Sequence, residues 1–385
     1  MKPLSIYIHI PFCIRKCNYC DFLSAPADDR VQEEYLHILK EEIRMSADQY
    51  SGHEVQTVYI GGGTPSAVDP ERLCGIVESL WKLFSVAADA EVSMEVNPGT
   101  VKEEALYRYK RAGINRLSIG LQSVNDKELK LLGRIHDYNA FLQTYTLALQ
   151  AGFTNINVDL MWGLPGQVLA DYERTLRQVL SLCPRPTHIS AYGLIIEEGT
   201  PFYTRYGEEA KTMACTGNAV SDLPSEEEER EMDELTERLL SEAGYHRYEI
   251  SNYSLPGKEC CHNKVYWQRG EYVGFGLGAA SLFGEIRSKN KTRLEDYLKS
   301  RVKAESTSRL SKEEQMEEFM FLGLRMTEGV DKKDFFRCFG MSVEEVYGTV
   351  IEKNKRDGLL EVGERLALTK RGRDVSNYVM AQFLL

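Results

Sequence analysis

Short apolar segments alternate with amphipathic segments along the first two thirds of the chain. The apolar segments have the length of buried strands, and the stretches between them place apolar residues at the spacing of a helix face. Strands are predicted at residues 6–10, 57–60, 92–96, 116–119, 156–161 and 188–194. Helices are predicted at residues 32–45, 70–84, 102–112, 139–151 and 169–182. Strands that alternate with helices indicate a parallel α/β sheet. A closed barrel needs eight such units, so the pattern predicts an open, partial (β/α)6 TIM-type barrel.

The rest of the chain has a different pattern. Residues 205–223 lack apolar periodicity and are rich in Gly, Ala, Thr and Ser, which predicts an irregular surface excursion. From about residue 311 the pattern changes to three helices followed by a hairpin whose turn lies within 361–366. We therefore expect a barrel domain with an extension at 1–305 and a small, mainly helical, winged-helix-like C-terminal domain at 306–385.

Composition narrows the possible functions. The 385 residues are 43% hydrophobic, which is enough for a large core, and the net charge is −11. A nucleic-acid partner is not expected, because phosphate binding needs a basic face. No apolar run reaches the ~20 residues that span a bilayer. Met1 to Leu4 lead directly into a strand, so we expect no signal peptide. The nine cysteines do not form a disulfide-like framework, which favours the reducing cytoplasm.

Three cysteines stand close together on the loop after the first strand. Cys13, Cys17 and Cys20 form a C-x3-C-x2-C run. Thiolates are soft ligands, and this arrangement in a reducing compartment indicates zinc or an iron–sulfur cluster. Structural zinc needs four ligands, but Asp21 and Phe22 follow the third cysteine. A cubane cluster with three protein thiolates would leave one iron open to a small molecule. The alternative is a zinc site with a distant fourth ligand.

A glycine run and several polar residues lie at the ends of later strands. Gly61, Gly62 and Gly63 precede Thr64, and consecutive glycines let a ligand approach the backbone, although an ordinary tight turn is the alternative. Polar residues near successive strand ends are Glu95, Gln122, Arg134 and Asp159. A carboxylate in an apolar strand is costly to bury without a partner. A buried pair with an arginine would satisfy it, but several such residues indicate one shared ligand.

The cysteine run, with Tyr19 before its third cysteine, resembles the radical S-adenosylmethionine (SAM) enzymes. That resemblance implies a [4Fe-4S] cluster on Cys13, Cys17 and Cys20, whose fourth iron binds the amino and carboxylate groups of SAM. It also implies that reduction cleaves SAM to a 5′-deoxyadenosyl radical. The barrel is then of the radical SAM type.

Longer motifs narrow the resemblance. The runs Tyr-Ile-His-Ile-Pro-Phe-Cys, Gly-Gly-Gly-Thr-Pro, Gly-Leu-Gln-Ser and Asp-Leu-x-x-Gly-Leu-Pro-Gly-Gln are similar to those of the oxygen-independent coproporphyrinogen III oxidase family. This similarity implies SAM contacts at Tyr7, Tyr19, Gly62, Gly63, Thr64, Glu95, Gln122, Arg134 and Asp159.

The family contains oxidases and a heme-chaperone branch, and three features favour the chaperone branch. The chain begins six residues before Tyr7, where the oxidases usually carry a longer segment. Phe22 stands where the oxidases usually have another cysteine. His262-Asn263-Lys264-Val265-Tyr266-Trp267 matches the His-Asn-x-x-Tyr-Trp signature of the chaperones. Imidazole is a common axial heme ligand, and aromatic rings offer a flat apolar surface to the macrocycle.

The resemblance therefore implies heme contacts at His262, Cys261, Tyr266 and Trp267. The alternative is that His262 is a buried, satisfied histidine and that the two aromatic residues belong to the core. The implied function is a heme chaperone that binds a [4Fe-4S] cluster, SAM and heme, and delivers heme to hemoproteins such as membrane-associated respiratory enzymes. The alternative is an oxidase that decarboxylates two propionates of coproporphyrinogen III. An electron donor is expected as a partner. Catalytic residues, the cleavage of SAM and the oligomeric state stay open, with a homodimer among the alternatives.

Overall fold

The computed structural model describes residues 1–220 and 222–385. Its main sheet has twelve strands: the six parallel strands of the barrel lie at its centre, with four further strands beyond the first of them and two beyond the sixth. Strands β1 to β6 are parallel to one another, and each pairs with the next in the chain. Their bounds are β1 Lys2–Ile10, β2 His53–Gly62, β3 Ser85–Val96, β4 Arg116–Gln122, β5 Asn155–Trp162 and β6 His188–Gly193. All six predicted strands are present, and the partial-barrel prediction is confirmed.

Helices connect the successive parallel strands. They are α1 Asp29–Ser46, α2 Pro70–Leu83, α3 Glu103–Arg111, α4 Asp126–Leu131, α5 Tyr138–Gln150 and α6 Leu169–Leu180, with short 3-10 helices at Ala47–Tyr50 and Pro65–Ala67. Asp28, Asp69 and Asp137 cap the first turns of α1, α2 and α5. A side-chain oxygen at the N-cap satisfies a backbone N–H that has no partner within the helix. These caps explain why the predicted helices begin close to where the structure has them.

The interior of the barrel is polar. Along β1, Ile6, Ile8 and Ile10 are buried in the apolar core, and the alternate positions point into the barrel. The hydroxyl of Thr57 on β2 bonds to Ser5, and the ring of Tyr7 stacks on Tyr59 of β2. Barrels of this class are usually filled by layers of branched apolar side chains. Here the polar groups inside must instead be hydrogen-bonded to one another or to a ligand.

Additional strands and helices extend both edges of the barrel. After β6 follow α7 Pro201–Thr216, α8 Glu226–Glu242, β7 His246–Arg247, β8 Asn252–Ser254 and α9 Cys261–Trp267. The chain then forms β9 Tyr272–Phe275, β10 Ala280–Phe283, β11 Ile286–Asn290, α10 Leu294–Lys299 and β12 Ala304–Arg309. Strand β9 pairs in parallel with β1, whereas β10, β11 and β12 continue the sheet in antiparallel fashion.

A buried carboxylate attaches this extension to the barrel. Glu42 of α1 accepts hydrogen bonds from the backbone N–H of Gly276 at 3.0 Å, the amide of Asn290 at 2.7 Å and the hydroxyl of Tyr297 at 2.6 Å. Burial raises the pKa of Glu42, and the three donors lower it. The contact joins α1 to residues far along the chain.

The C-terminal part contains α11 Lys312–Gly323, β13 Val330–Asp331, α12 Lys332–Phe339, α13 Val343–Arg356, β14 Leu360–Val362, β15 Arg365–Leu368, α14 Lys370–Asp374 and α15 Ser376–Ala381. Its three strands form a separate sheet in the order β13-β15-β14, and its buried apolar residues form a cluster of their own. Three helices followed by a hairpin are the predicted winged-helix-like arrangement, but two short helices, α14 and α15, follow the hairpin and were not predicted. The domain boundary between residues 305 and 306 stays a prediction.

The prediction of an irregular segment at 205–223 was wrong for most of its length. Helix α7 covers Pro201–Thr216, with Thr200 as its N-cap and Gly217 in the left-handed conformation at its end. Ala, Glu, Lys and Met favour helices, and Phe202 and Tyr206 give α7 a buried face. Ser221, within the same segment, lies outside the described residues. No helix in the described part of the chain is both long and apolar enough to cross a membrane.

We expect Glu42→Ala to destabilise the protein strongly, because three buried donors would lose their acceptor. The cost should be on the order of 3 kcal/mol, measured by urea unfolding. Glu41→Ala is the matched control, since Glu41 is an exposed neighbour that pairs with Arg44 on the surface. Equal stability of the two variants would contradict the attachment role.

Candidate functional site

A cavity of about 320 Å³ opens at the C-terminal ends of the parallel strands. This is the end at which barrel active sites are built. The cysteine loop forms one side of the cavity, and the ends of β2 to β6 form the other. The predicted residues that line it are Cys13, Cys17, Tyr19, Cys20, Gly62, Gly63, Thr64, Glu95, Gln122, Arg134 and Asp159. The structure therefore brings together the three cysteines and nearly all the residues expected to contact SAM.

Backbone contacts hold the cysteine loop in place. The N–H of Cys13 bonds to the carbonyl of Ala25 at 3.2 Å, and the N–H of Asn18 bonds to the carbonyl of Leu132 at 2.9 Å. The guanidinium group of Arg15 donates to the carbonyl oxygens of Gly133 and Arg134. The loop is thus fastened to the segment after α4, although the two are more than a hundred residues apart in sequence.

Two of the cysteine sulfurs accept hydrogen bonds from the wall of the cavity. The hydroxyl of Thr64 lies 3.6 Å from Sγ of Cys13, and the guanidinium group of Arg134 lies 3.6 Å from Sγ of Cys17. Hydrogen bonds to cysteine sulfurs are a usual feature of iron–sulfur sites, where they tune the cluster. Burial raises the pKa of the Cys20 thiol, and the backbone N–H of Phe22 lowers it. This donor set fits a cluster held by three thiolates.

The distance between possible ligands distinguishes a site for one metal ion from a site for a cluster. Within residues 1–220 and 222–385, no three His, Cys, Asp or Glu side chains converge as the ligands of one metal ion would. In a cubane cluster each thiolate binds a different iron, so its ligands stand further apart.

The glycine run is packed against the cysteine loop. The N–H of Gly63 bonds to the carbonyl of Ile10 at 2.8 Å, and the N–H of Thr64 bonds to that of Phe12 at 2.7 Å. A Cβ atom on Gly63 would lie 2.6 Å from the Phe12 carbonyl oxygen. Gly62 has a φ of +114°, and a Cβ there would lie 2.4 Å from the His9 ring. Glycine is therefore required at positions 62 and 63 for the cysteine loop to pack against this run, whether or not a ligand also contacts it. A valine at Gly62 would strain the protein itself, so it is unsuitable for probing a ligand.

Two carboxylates, those of Glu95 and Asp159, line the cavity. Glu95 accepts hydrogen bonds from the Gly62 N–H at 3.0 Å and the Tyr59 hydroxyl at 3.1 Å. Asp159 accepts one from the Asn157 amide at 2.6 Å. Burial and the negative charge of Asp159 raise the pKa of Glu95 to about 7. Burial also raises the pKa of Asp159. Buried acids in this situation are prepared to receive a positively charged group.

Arg134 and Asn97 form a bonded cluster beside the cysteines. Arg134 donates to Oδ1 of Asn97 and to the carbonyl of Gly120, both at 2.7 Å, and Asn97 donates to the hydroxyl of Thr64 at 2.8 Å. Among the described residues, Nε of Arg134 has no hydrogen-bond partner although it is buried. Sequence reasoning missed Asn97 as a site residue. Its position two residues after Glu95, at the end of the same strand, is the signal that could have found it.

Gln122, at the end of β4, has an unusual backbone conformation. Gln122 has a φ of +72°, which a residue other than glycine rarely adopts, and Tyr192 donates a hydrogen bond to its side chain at 2.9 Å. Tyr192 was not predicted.

Tyr7 lies deeper than the cavity wall, with its hydroxyl bonded to Nδ1 of His9 at 3.0 Å. Tyr7 is not among the residues that line the cavity, and its contact with SAM stays a prediction.

Two exposed apolar residues stand at the mouth of the cavity. Phe22 is 59% exposed and Ile195 is 69% exposed, and both line the opening. Phe22 was identified from the sequence, whereas Ile195, which follows β6, belongs to none of the sequence motifs. They give the entrance an apolar rim.

The His262 signature lies at the opposite end of the barrel. Nδ1 of His262 bonds to the hydroxyl of Thr57 at 2.8 Å, and Nε2 bonds to the hydroxyl of Tyr266 at 2.9 Å. His262 is 1% exposed, and burial lowers its pKa to about 3. Both ring nitrogens are thus occupied. In this structure His262 is a buried, hydrogen-bonded histidine at the base of the barrel, and its contact with heme stays a prediction.

The other signature residues divide between interior and surface. Glu91 accepts hydrogen bonds from the backbone N–H groups of Cys261 and His262, which fixes the start of α9. The thiol of Cys261 is exposed. The ring of Trp267 is covered by the guanidinium group of Arg325 at 4.4 Å. Of the four residues expected to contact heme, Cys261 is the one that lies open to solvent.

Two family models match separate parts of the chain. Residues 7–179 match the radical SAM superfamily, and residues 310–375 match the HemN C-terminal domain. Coproporphyrinogen III oxidase (HemN) from Escherichia coli, a radical SAM enzyme of known structure, aligns with a TM-score of 0.84 over 100% of this chain and 90% of its own. The two are 23% identical, so this similarity concerns the fold.

Relatives of the same length are closer in sequence. The chain is 36% identical to heme chaperone HemW of Bacillus subtilis (strain 168), over 99% of both chains. It is 34% identical to heme chaperone HemW of Escherichia coli (strain K12), over 100% of this chain and 99% of the relative. On this full-length similarity, the chain belongs to the HemW family within the radical SAM superfamily.

Proposed function

We propose that this protein is a heme chaperone that binds a [4Fe-4S] cluster and SAM and passes heme to hemoproteins. The observation that carries the proposal is the 36% identity, over 99% of both chains, to a protein named heme chaperone HemW. The signature at His262 to Trp267 supports the same assignment from within the sequence.

Each part of the first cavity has a role in this proposal. Cys13, Cys17 and Cys20 hold the cluster, and the donors from Thr64 and Arg134 stabilise the thiolates. The carboxylates of Glu95 and Asp159 attract the positively charged part of SAM. When bound, the reduced cluster supplies the electron that can cleave SAM. The apolar rim at Phe22 and Ile195 limits the access of water to the cavity.

The second candidate is an oxygen-independent coproporphyrinogen III oxidase. The full-length fold similarity to HemN favours it, because the same barrel and C-terminal part serve that enzyme. Phe22, in place of the further cysteine usual in the oxidases, argues for the chaperone.

The partners follow from the chemistry. Recipients are hemoproteins, including membrane-associated respiratory enzymes, and an external electron donor reduces the cluster. We place the protein in the cytoplasm, since its nine cysteines form no disulfide-like framework in the sequence. Sedimentation would distinguish a monomer from a homodimer.

Anaerobically purified protein should be brown and contain about four irons per chain. Cys13→Ala, Cys17→Ala and Cys20→Ala should each remove most of the iron, because a cubane needs all three thiolates. Cys183→Ala is the control, since Cys183 is an exposed cysteine outside the cavity. Iron analysis and absorption spectra give the readout. A single tightly bound zinc in a colourless protein would refute the cluster.

SAM binding should strengthen as the pH rises from 6 to 8. The pKa of Glu95 is about 7 in the folded chain, above its ordinary value of 4.5. Protonated Glu95 therefore contributes to folding stability fully below about pH 4.5, and this contribution is lost as the pH rises through 7. The carboxylate formed there attracts the positive charge of SAM. Titration calorimetry on the cluster-loaded protein should show this trend.

Glu95→Gln is the test variant for this pH dependence. It should bind SAM roughly tenfold more weakly at pH 8 and with little change in affinity from pH 6 to 8. A variant with the same affinity and pH profile as the wild type would show that Glu95 does not contact the cationic part of SAM.

Chaperone and oxidase differ in what they do with porphyrins. We expect about one heme per chain by Soret titration. With SAM and a reductant, the protein should leave coproporphyrinogen III unchanged in a chromatographic assay. Escherichia coli HemN, assayed in parallel, controls for the reductant and substrate. Turnover by this protein would favour the oxidase, and absence of heme binding would refute the chaperone.

A further inference from the structure

A second cavity, of about 220 Å³, lies where the barrel extension meets the C-terminal part. On the barrel side its walls are Tyr266, Tyr272 and Leu282, and on the other side they are Phe321 and Leu322 of α11. The rings of Tyr266 and Tyr272 meet edge to face, with centroids 4.6 Å apart. The cavity therefore has flat, aromatic and aliphatic walls and includes one residue of the His262 signature.

Two arginines and one glutamate supply the charges of this cavity. Nε of Arg269 lies 3.1 Å from one oxygen of Glu318, and a terminal nitrogen of Arg287 lies 2.7 Å from the other. The side chains of Arg269 and Glu318 are 9% and 13% exposed. Arg269 also pairs with Glu285, whose side chain is 42% exposed. The Glu318 carboxylate on α11 thus bridges two guanidinium groups of the barrel extension.

We propose that heme enters this cavity by its carboxylate-bearing edge and that its two propionates replace Glu318 on Arg269 and Arg287. The inference rests on the proposed function and adds the place and the recognition chemistry. Heme combines a flat apolar macrocycle with two carboxylates on one edge. The cavity pairs apolar, aromatic walls with two arginines, whose planar groups bind carboxylates in fixed geometry.

The size of the cavity determines how heme binds. Pockets that enclose a whole ligand usually measure about 300–1,000 Å³. At about 220 Å³ the cavity takes one edge of the macrocycle, and the contact between the barrel and α11 must open further to admit the rest. The Arg269 and Arg287 pairs with Glu318 close that contact, so their replacement by propionates couples binding to opening.

The position of this cavity explains how a ligand reaches the signature at His262 to Trp267 although His262 itself is buried. Tyr266 forms the cavity wall, and its hydroxyl is bonded to His262 directly behind it. Among the described residues, the indole N–H of the adjacent Trp267 is buried without a hydrogen-bond partner. A ligand that enters beside α11 therefore reaches the signature from outside the barrel, without passing through the SAM cavity.

The test compares heme affinity of the full-length, cluster-loaded protein and its variants by anaerobic Soret titration. Arg269→Gln and Arg287→Gln should each weaken hemin binding roughly tenfold, because a charged hydrogen bond to a propionate is lost. Glu318→Gln should strengthen binding, because it removes the carboxylate that competes with the propionates. Hemin dimethyl ester, which lacks both charges, should bind the wild type as weakly as hemin binds the arginine variants.

Arg373→Gln is the matched control. Arg373 also connects the C-terminal part to the barrel, through Glu237 at 3.3 Å, but it lies away from this cavity. Its hemin affinity should equal that of the wild type. Thermal unfolding of every variant identifies any that fails to fold, and Glu318→Gln tests the idea by a gain of affinity, which misfolding cannot produce.

The outcomes separate the inference from the function on which it rests. If the wild type binds no heme, the proposed function fails. If heme binds equally well in all variants and as the ester, the chaperone stands and this site is wrong. If Glu318→Gln weakens binding, or Arg373→Gln weakens it as much as Arg269→Gln, the ion pairs are only structural and the inference is overturned.

Discussion

The rest of the structure depends on the need to satisfy a polar barrel interior. A chain of hydrogen bonds crosses that interior: Tyr248 bonds to Nε2 of His188 at 2.8 Å, Nδ1 of His188 bonds to Asn157 at 2.6 Å, and Asn157 bonds to Asp159 at 2.6 Å. At the base of the barrel, the hydroxyl of Tyr248 accepts a hydrogen bond from the backbone N–H of Cys260. Unpaired polar groups in such a place would each cost about 1–3 kcal/mol. The signature segment and the cavity floor are therefore parts of one bonded network.

This constraint assigns different tasks to the two ends of the barrel. At the C-terminal end, burial raises the pKa values of Glu95 and Asp159, and the charge of Asp159 raises that of Glu95 further, because the protein alone does not neutralise both carboxylates. At the base, His262 has both nitrogens bonded and contributes to closing the barrel. One end is thus prepared for a charged cofactor. The other is a structural closure whose outer side, beyond Tyr266, faces the C-terminal part.

Much of the fold and of the first cavity was predictable, because local patterns carry them. Strand ends in a parallel sheet converge, so polar residues such as Glu95 and Asp159 could be placed together from sequence order alone. The state of His262 could not be predicted in the same way, since its partner Thr57 lies 205 positions away. The pairing of Arg269 with Glu318 joins two parts of the chain whose relative placement no local pattern encodes. Helix α7 was missed because its capping residues outweigh its weak periodicity.

Hydrogen–deuterium exchange on the anaerobic, cluster-loaded protein tests most directly whether SAM and heme act at opposite ends of the barrel. SAM should slow exchange at residues 61–64 and 95–97, and heme should change exchange at residues 262–272 and 315–322. The two patterns should not overlap in the cysteine loop. Protection of residues 13–23 and 193–197 by heme, with no change in α9 or α11, would place heme at the mouth of the SAM cavity and contradict this account.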